Sequence, residues 1–388
     1  MYLDSLTFIG FVGGVLLAGS SVGCLYLIYA GFAVRHFTTR RPPPTVESLP
    51  VSVLKPLCGE DPELYANLAS FCRQAYPRWQ IVFGVQDADD PAIGVVRRLM
   101  VEYPSADLAL VVESGRRDGN LKVANLQNML PAARHELIVI ADSDMRVAPD
   151  YLAAVTAPLA DRAVGLVTCL YRGVPAGGTW SMLASLHINH GFLPQAVVAA
   201  TVGAGAGCFG ATVALRRDTL EAVGGLAAIA DVLADDHALG AAVRRLGRKV
   251  VLSPYIVDNI IAEPTLGALF RHELRWARTI RAVAPVGFVG TVITQPMVLA
   301  AAALALGVWP ISTAAMLAVA LLSRAAMVRL VDRALRLPAT PLWLLPVRDL
   351  LSFAVFAASF FIRTVAWRDH TFRIGPRGRL ILDGDTPA

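Results

Sequence analysis

Strongly apolar segments lie at both ends of the chain, with a more polar region between them. Residues 7–34 contain no charged side chain, and this run exceeds the roughly 20 residues that a helix needs to cross a bilayer. Three further apolar stretches, residues 287–309, 311–328 and 342–367, follow near the other end. The pattern predicts N- and C-terminal transmembrane helices on either side of a soluble domain.

Two of these segments admit a second interpretation. The first resembles a cleaved signal peptide in its apolarity, but no basic residue precedes it and the apolar part is too long. We therefore interpret it as a retained anchor. The last stretch contains Arg348 and Asp349. Because an unpaired charge in a bilayer is costly, either these two neutralise one another near the interface or the segment is partly re-entrant.

Basic residues indicate the orientation. The segment RHFTTRR directly follows the first apolar run, and the excess of basic residues in cytoplasmic loops places the region after it in the cytoplasm. Arg329, Arg333 and Arg336 come two crossings later, on the same side. The C-terminal RDHTFRIGPRGR also favours the cytoplasm, whereas a single crossing by the last segment would put it outside. Both positions of the C-terminus stay open.

The central region alternates short apolar runs with helical patterns. Strands are predicted at VSVLKPL, WQIVFGVQD, DLALVVES and ELIVIADSD, and helices at DPELYANLASFCRQAY, PAIGVVRRLMVEYP and KVANLQNMLPAA. Such alternation is typical of an α/β fold with a mostly parallel sheet between helices. We expect an anchor, a Pro-rich basic linker, a cytosolic domain, C-terminal membrane segments and a tail at residues 1–36, 37–47, 48–285, 286–369 and 370–388.

Two of the predicted strands end in acidic residues. Asp87, Asp89 and Asp90 follow the run IVFGV, and Asp142 and Asp144 follow LIVIA. Ligands of α/β sheets lie beyond the carboxyl ends of the strands, where gathered carboxylates repel one another unless a cation compensates them. A divalent ion that keeps water and phosphate oxygens in its shell meets that need. A polar turn is the simpler explanation of the second pair.

Composition argues against several other classes. The net charge is +5, with 17% charged and 55% hydrophobic residues. Because much of the basic excess flanks membrane segments, where anionic lipid attracts it, we expect no nucleic-acid partner. The five cysteines lack Cys-x-x-Cys spacing, which argues against a zinc site or a disulfide framework. The absence of a Gly-x-x-x-x-Gly-Lys loop and of a dinucleotide fingerprint disfavours P-loop kinases and nicotinamide enzymes.

Five motifs carry a family resemblance: VQDADDPAI, LKVANL, IADSDMRV, GGLAAIADVLADDHAL and RHELRW. In this order, with an anchor on each side, they resemble the GT-A glycosyltransferases that have three aspartates and a (Q/R)xxRW element. More narrowly, they are similar to the ceramide glucosyltransferase family (family 21, family 2-like) and its bacterial relatives in hopanoid biosynthesis. The resemblance implies a mixed sheet flanked by helices, with transmembrane helices at both ends, and a UDP-sugar donor.

The resemblance implies nucleotide and metal roles for four residues. Asp87 matches the aspartate that accepts a hydrogen bond from the uracil ring, and Lys122 matches a lysine near the nucleotide. A solvated lysine at a helix start is the structural alternative for Lys122. Asp142 matches the carboxylate near the ribose and the metal, and Asp144 the ligand of the Mg²⁺ or Mn²⁺ that bridges the diphosphate.

The resemblance also implies catalytic residues. Asp236 matches the third aspartate, the candidate general base for the acceptor hydroxyl; Asp235 precedes it where the family has glutamate and is suited to cap a helix. Arg275 is expected to pair with the departing diphosphate and Trp276 to line the sugar or acceptor pocket. His272, also a catalytic candidate, stands where the family has Gln or Arg. An interfacial basic helix explains the same segment structurally.

The implied activity is that of an inverting glycosyltransferase in a bacterial-type cytoplasmic membrane, with its catalytic domain facing the cytoplasm. Details such as CFGATVALRR favour transfer of N-acetylglucosamine from UDP-GlcNAc to the primary hydroxyl of bacteriohopanetetrol. Glucosylation of ceramide from UDP-glucose is the alternative. A processive polysaccharide synthase is less favoured, because it needs more membrane helices to hold a growing polymer.

Overall fold

The chain forms two compact units in the computed structural model. We call them the helical unit, Met1–Thr39, Leu186–Thr201 and Leu266–Arg363, and the sheet unit, which contains the rest. The structure describes residues 2–42, 48–114, 119–203, 207–361, 364–367, 370–374 and 380–382. Residues 43–47 of the predicted linker and parts of the predicted tail at 370–388 lie outside the described residues.

The sheet unit is built on an eight-stranded mixed sheet, which confirms the expected α/β fold. The four strands predicted from apolar runs are all present and run parallel in the order β3-β2-β1-β4. Strand β7 pairs antiparallel with both β4 and β6 and so makes the sheet mixed. The strands are β1 Val51–Pro56, β2 Trp79–Val85, β3 Asp107–Val112, β4 Leu137–Ile140, β5 Met145–Arg146, β6 Val164–Pro175, β7 Val213–Arg216 and β8 Lys249–Ile261.

Helices cover both faces of this sheet. Val53 and Leu54, neighbours on β1, are buried in two different hydrophobic clusters, one on each face. Strands buried on both faces are apolar at consecutive positions, which explains the unbroken apolar runs. The helices of the sheet unit are α2 Leu64–Cys72, α3 Ala92–Glu102, α4 Leu121–Met129, α5 Tyr151–Thr156, α8 Arg217–Ala222 and α9 Asp235–Arg245. Helix α6, Gly178–His187, begins in the sheet unit, and its last two residues belong to the helical unit. A separate antiparallel sheet contains β9 Thr364–Trp367, β10 His370–Ile374 and β11 Leu380–Leu382.

The helical unit contains three helices that are long and apolar enough to cross a membrane, among the described residues. They are Thr7–Thr39, Pro310–Leu335 and Leu344–Phe361, and they confirm candidate spans near both ends of the chain. The unit consists of α1 Tyr2–Thr39, a π-helical turn at Ile188–Phe192, α7 Leu193–Thr201, α10 Leu266–Val283, α11 Pro285–Gly290, α12 Pro296–Ala305, α13 Pro310–Leu335 and α14 Leu344–Phe361.

The apolar stretch at residues 287–309 is not the single straight span that its composition predicts. Segments Pro285–Thr294 and Pro296–Ala305 meet at an angle of 70°, as in a broken span or a re-entrant loop. Gln295 between them has a non-helical backbone (φ −117°, ψ 57°). The physical reason is Pro296, which lacks an N–H group, begins a new helix and disfavours helical geometry at the residue before it.

Arg348 and Asp349 do not neutralise one another, so the first of the two explanations for this charged pair is wrong. Arg348 pairs with Glu273 on α10, and Asp349 pairs with Arg324 on α13, with closest N–O distances of 2.7 Å in both cases. Adjacent residues on an α-helix point about 100° apart, so each of the two charges meets a different neighbouring helix. The buried charges are compensated inside the helical unit.

Candidate active site

Gly210 lies at the centre of a cluster of charged groups in the sheet unit. A β-carbon built on Gly210 would lie 3.2 Å from Asp142 Oδ2, 3.2 Å from Lys122 Nζ and 3.6 Å from Asp236 Oδ2. Its backbone N–H donates a hydrogen bond of 2.7 Å to Asp236 Oδ2. The structure therefore brings three of the predicted site residues together around a glycine that the sequence analysis did not single out.

Lys122 joins the acidic groups on either side of it. Its Nζ lies 2.6 Å from Asp142 Oδ1 and 3.7 Å from Asp235 Oδ2. Burial by itself would lower the pKa of Lys122, but the carboxylates of Asp142 and Asp235 outweigh it and raise that pKa well above the usual range. A lysine held between two carboxylates is not a solvated surface lysine, so the structural alternative for Lys122 does not hold.

Asn120 places Lys122 at the start of α4. The Asn120 Oδ1 accepts hydrogen bonds from the backbone N–H groups of Lys122 and Val123, at 3.0 and 3.2 Å. This is the N-cap arrangement that satisfies otherwise unpaired N–H groups at a helix start. The Asn120 amide nitrogen donates to the Val232 carbonyl and to Asp235 Oδ1, at 3.0 and 3.4 Å. One side chain thus fixes α4 against the segment that leads into α9.

Asp236 has the properties of a carboxylate that exchanges a proton near neutral pH. Burial, and next the neighbouring charge of Asp235, raise the pKa of Asp236 to about 7. Its Oδ1 accepts a hydrogen bond of 2.7 Å from the N–H of His237. Ala234 is the N-cap of α9, and Asp235 is already inside the helix, so the capping interpretation of Asp235 is wrong.

Asp144 is a second, partly buried acid of this cluster whose pKa is raised. Burial, and next the charge of Asp142, raise the pKa of Asp144 to about 6. Asn259 on β8 donates a hydrogen bond of 2.7 Å to Asp144 Oδ2 and so orients this carboxylate. Asn259 gave no signal in the sequence, because a single asparagine in a strand is compatible with many structural roles.

Lys55, which contacts the backbone of Asp142, is another residue of the site that the sequence did not indicate. It is fully buried at the end of β1, its Nζ donates to the backbone carbonyl of Asp142, and it lies 3.9 Å from the centroid of the Phe71 ring. Burial lowers the pKa of Lys55 to about 7, against the opposite effect of Asp142 and Asp144. Its only sequence signal was a lysine inside the otherwise apolar run VSVLKPL.

The acids fit a divalent cation that takes its remaining ligands from water and substrate. Repulsion from Asp142 contributes to the raised pKa of Asp144, which is the signature of negative charge that a cation would compensate. No group of three or more His, Cys, Asp and Glu suited to hold a metal occurs among the described residues. Two carboxylates accord with Mg²⁺-type binding, in which few protein ligands and several phosphate or water oxygens complete the shell.

Asp87 lies beyond β2, at the edge of the sheet where parallel strands β1, β2 and β4 end. Its side chain is exposed, and its Oδ1 accepts a hydrogen bond of 3.0 Å from the N–H of Asp89. Asp90 instead accepts hydrogen bonds from the N–H groups of Gly59 and Ala92. Asp90 therefore has a structural role, whereas the Asp87 carboxylate keeps an oxygen open to solvent.

The remaining predicted residues, His272, Arg275 and Trp276, lie on α10 of the helical unit. The His272 and Trp276 ring centroids are 4.3 Å apart, and His187 stacks on Trp276 with a centroid distance of 6.4 Å and an interplanar angle of 20°. His272 thus supports the Trp276 ring. The catalytic roles of all three residues stay predictions.

Comparison with known proteins identifies the family. The sequence model of glycosyl transferase family 21 matches residues 15–380. Ceramide glucosyltransferase 1 of Caenorhabditis elegans is 25% identical over 291 residues, 73% of this chain and 60% of that protein. A ceramide glucosyltransferase of Komagataella phaffii is 33% identical over 132 residues, 32% of this chain and 26% of that protein. The chain spans about three fifths of the length of the nematode relatives, 60% and 61%.

A solved structure shares the fold. It is a mannosyltransferase from Pyrobaculum calidifontis, in complex with GDP-Man and Mn²⁺, with a TM-score of 0.54 and 22% sequence identity. The match covers 90% of this chain and 99% of that one. The likeness confirms the GT-A type of mixed sheet flanked by helices that the sequence motifs predict.

Proposed function

Because the chain belongs to glycosyl transferase family 21, we propose that it is a membrane-bound glycosyltransferase that moves a hexose from a UDP-sugar to a hydroxyl group of a membrane lipid. The observation that carries the proposal is the grouping of Asp142, Lys122 and Asp236 around Gly210. An acid proposed to bind the cation, a lysine and a partly buried carboxylate of raised pKa supply, in one place, groups for the diphosphate and for the acceptor proton.

The relatives favour ceramide as the acceptor and glucose as the sugar. Both nematode relatives and the yeast relative are named ceramide glucosyltransferases, which supports the alternative of the sequence analysis over its first choice. Transfer of N-acetylglucosamine to bacteriohopanetetrol therefore becomes the second candidate. Both lipids offer a primary hydroxyl group near the membrane surface, so the residues of the site suit either one.

Asp236 is the proposed general base. An alcohol is a weak nucleophile at neutral pH, so a carboxylate must accept its proton as the new C–O bond forms. The partly buried Asp236, with a pKa of about 7, accepts a proton far more readily than an exposed aspartate. Attack by the hydroxyl oxygen at C1 breaks the bond to the diphosphate oxygen in a single displacement, which inverts the anomeric configuration and releases UDP.

The donor side of the site is proposed as follows. Asp87 accepts a hydrogen bond from the uracil ring, and Lys122 faces the diphosphate. Asp142 and Asp144 are the residues that would hold a divalent cation, and Mg²⁺ or Mn²⁺ bound there would stabilise the charge of the leaving diphosphate. Arg275 and Trp276 are assigned to the diphosphate and to the wall of the acceptor pocket, on the strength of the motif that they share with the family.

A lipid-product assay tests the proposal. Purified full-length protein is incubated with Mg²⁺ or Mn²⁺, with UDP-glucose or UDP-GlcNAc, and with ceramide or bacteriohopanetetrol, and the lipid products are identified by mass spectrometry. We expect glucosylceramide. A hopanoid product would reassign the acceptor, and no transferred sugar from any pair would contradict the proposal.

The Asp144→Ala variant tests the donor side in the same preparation. Removing one of the two carboxylates is expected to abolish the gain in UDP affinity that the divalent cation confers. Asp89→Ala is the matched control, because Asp89 is an exposed acid on a neighbouring loop of the same unit. Isothermal titration with UDP, with and without the cation, provides the measurement, and a cation effect that survives in Asp144→Ala would remove Asp144 from the metal site.

A further inference from the structure

Two buried arginine–carboxylate ion pairs that the proposed reaction does not use lie in the described part of the helical unit. Glu273 and Arg348 have side-chain exposures of 2% and 0%, and their two hydrogen bonds measure 2.8 Å and 2.7 Å. Arg324 and Asp349 form the second pair at 2.7 Å, with exposures of 8% and 7%. Burying a charge pair usually adds little stability compared with an apolar pair of similar size. Pairs of this kind therefore call for a role other than stability.

The first pair joins α10, which contains the RHELRW motif, to α14. The Nη1 and Nη2 groups of Arg348 donate to the two oxygens of the Glu273 carboxylate, the planar arrangement that restricts orientation most strongly. The Arg348 Nε donates to Ser352 on its own helix, at 3.2 Å. The apolar contacts nearby, which include Leu274, Ala277 and Val355, are not directional and tolerate rotation of the helix. The ion pair is thus a directional contact between these two helices, beside the Arg281 guanidinium, which lies 5.2 Å from the centroid of the Phe360 ring.

Trp276 shares a helix face with Glu273. Residues three apart on an α-helix are neighbours on its surface, so the rotation that Glu273 imposes on α10 also sets the direction of the Trp276 ring. In that direction the ring lies between His272, at 4.3 Å, and His187, at 6.4 Å. Arg275 lies one residue before Trp276, on the same turn of the helix.

We propose that Glu273 and Arg348 are positioning residues, whose ion pair sets the rotation of α10 and thereby the placement of Arg275 and Trp276. This inference rests on the proposed function, in which those two residues serve the sugar transfer. The pair of Arg324 and Asp349 provides an internal control, because Arg324 donates hydrogen bonds to Asp349 and to the His190 carbonyl and none of these partners lies on α10.

The test replaces each buried pair by a pair of methionines in the full-length protein. Removing one partner alone leaves a buried charge and is strongly destabilising, whereas an apolar pair of similar volume is often tolerated. The test variant is therefore the double change Glu273→Met with Arg348→Met, and its matched control is Arg324→Met with Asp349→Met. The melting temperature, kcat and KM for UDP-glucose and ceramide are measured for both.

A second measurement reports on Trp276 without any turnover. The protein is labelled with 5-fluorotryptophan, and the ¹⁹F resonance of Trp276 among the six tryptophans is assigned with Trp276→Phe. We expect the test variant to fold, to shift the Trp276 resonance and to lose about tenfold in kcat while KM for UDP-glucose stays within about twofold, because contacts that strengthen only in the transition state act on kcat. The control variant should keep the resonance and kcat.

Three results would overturn the inference: an unmoved resonance with normal kcat in the test variant, a moved resonance with normal kcat, or equal losses in the two double variants. If the methionine pair does not fold, Glu273→Asp takes its place, because it keeps the charge but shortens the arm that holds α10; it should move the resonance and lower kcat. If the unmodified protein transfers no sugar, the proposed function fails, and the resonance alone decides whether the pair positions Trp276.

Discussion

Because Gly210 has no side chain, the charged groups of the candidate active site can approach its backbone closely. Its backbone approaches Asp142, Lys122 and Asp236 so closely that even a methyl group would press on the first two, at 3.2 Å each. Contacts of that length force the neighbours to move, because cores and sites are packed to high density. The close approach of the Lys122 and Asp142 side chains to this backbone is thus possible only because residue 210 is glycine.

We expect Gly210→Ala to weaken donor binding at least tenfold while the fold is retained. The added methyl group displaces the Lys122 ammonium or the Asp142 carboxylate, whereas the N–H bond to Asp236 is unaffected by the change. The measurement is the Kd of UDP-glucose. Gly94→Ala is the matched control, because nothing lies within 4 Å of a β-carbon at that helical position. Equal affinities in the two variants would show that the packing of Lys122 and Asp142 against Gly210 does not affect donor binding.

The raised pKa of Asp236 predicts a pH dependence with opposite signs for activity and stability. Protonated Asp236 cannot accept a proton, so kcat/KM should rise through about pH 7 as this group ionises. The folded state holds that proton more tightly than the unfolded chain, where the pKa is near 3.8. Its contribution to stability therefore falls between about pH 4 and pH 7.

The comparison variant for both effects is Asp236→Asn, which cannot ionise. Between pH 5 and pH 8, the Tm difference between the Asn variant and the natural protein should grow in favour of the variant, while the variant stays inactive at every pH. Differential scanning calorimetry and a pH–rate profile make the two measurements. A variant that keeps near-normal turnover would place the base elsewhere, with Asp235 the first residue to examine.

Sequence reasoning found some site residues and missed others for a physical reason. Asp142 and Asp236 stood out because acids next to apolar runs are unusual and because motifs place them. Gly210 has no side chain to attract attention, and Lys55 and Asn259 are single polar residues within strands, where the sequence does not reveal which atoms face them. Their roles depend on partners more than 80 residues away, which only the fold brings together.

At the scale of elements, α4 illustrates how a helix start positions a charged group. Asn120 caps α4 and also holds the segment before α9, so it helps to set the distance between Lys122 and Asp235. Loss of an N-cap side chain typically costs about 1 kcal/mol. The cap therefore contributes to the geometry of the site as well as to the stability of the helix.

We expect Asn120→Ala to lower the free energy of unfolding by about 1 kcal/mol and to raise KM for UDP-glucose several-fold, because Lys122 loses its fixed place beside Asp142. Asn128→Ala is the control: Asn128 is on the same helix and donates one hydrogen bond to the Glu113 carbonyl, at 3.0 Å, away from the acids. Denaturant unfolding and steady-state kinetics distinguish the effects. Equal KM values in the two variants would separate the cap from the site.

The elements themselves were predictable to different degrees. Strands β1 to β4 follow from unbroken apolar runs, since both of their faces are buried. The bend at Gln295 was not predicted, because a glutamine and a proline inside a long apolar stretch hardly change its hydropathy. The partners of Arg348 and Asp349 were not predictable either, since charges on one helix do not indicate which other helices approach them.

At the scale of the whole molecule, the direction of two helices constrains the membrane topology. A β-carbon on Gly13 of α1 would lie 2.8 Å from Val308, just before α13, and one on Gly31 would lie 2.8 Å from Leu330 on α13. The beginnings of α1 and α13 are therefore near one another, as are their ends, so the helices run in the same direction. If both span the bilayer, the chain must cross it once in between.

The bent pair α11 and α12 is the segment that can make this crossing, because α10 contains Arg271, Arg275, Arg278 and Arg281 and arginines are costly inside a bilayer.

We expect position 39 at the end of α1 and position 312 at the start of α13 to face opposite sides of the membrane. Thr39 and Ser312 are both exposed, so the variants Thr39→Cys and Ser312→Cys place a cysteine within reach of a label. Each variant also contains Cys58→Ser, because this change removes the exposed natural cysteine and leaves the four buried ones. A membrane-impermeant maleimide applied to vesicles of known sidedness should label only one of the two variants. Labelling of both from the same side would make the bent pair a re-entrant loop and require α13 to cross in the other direction.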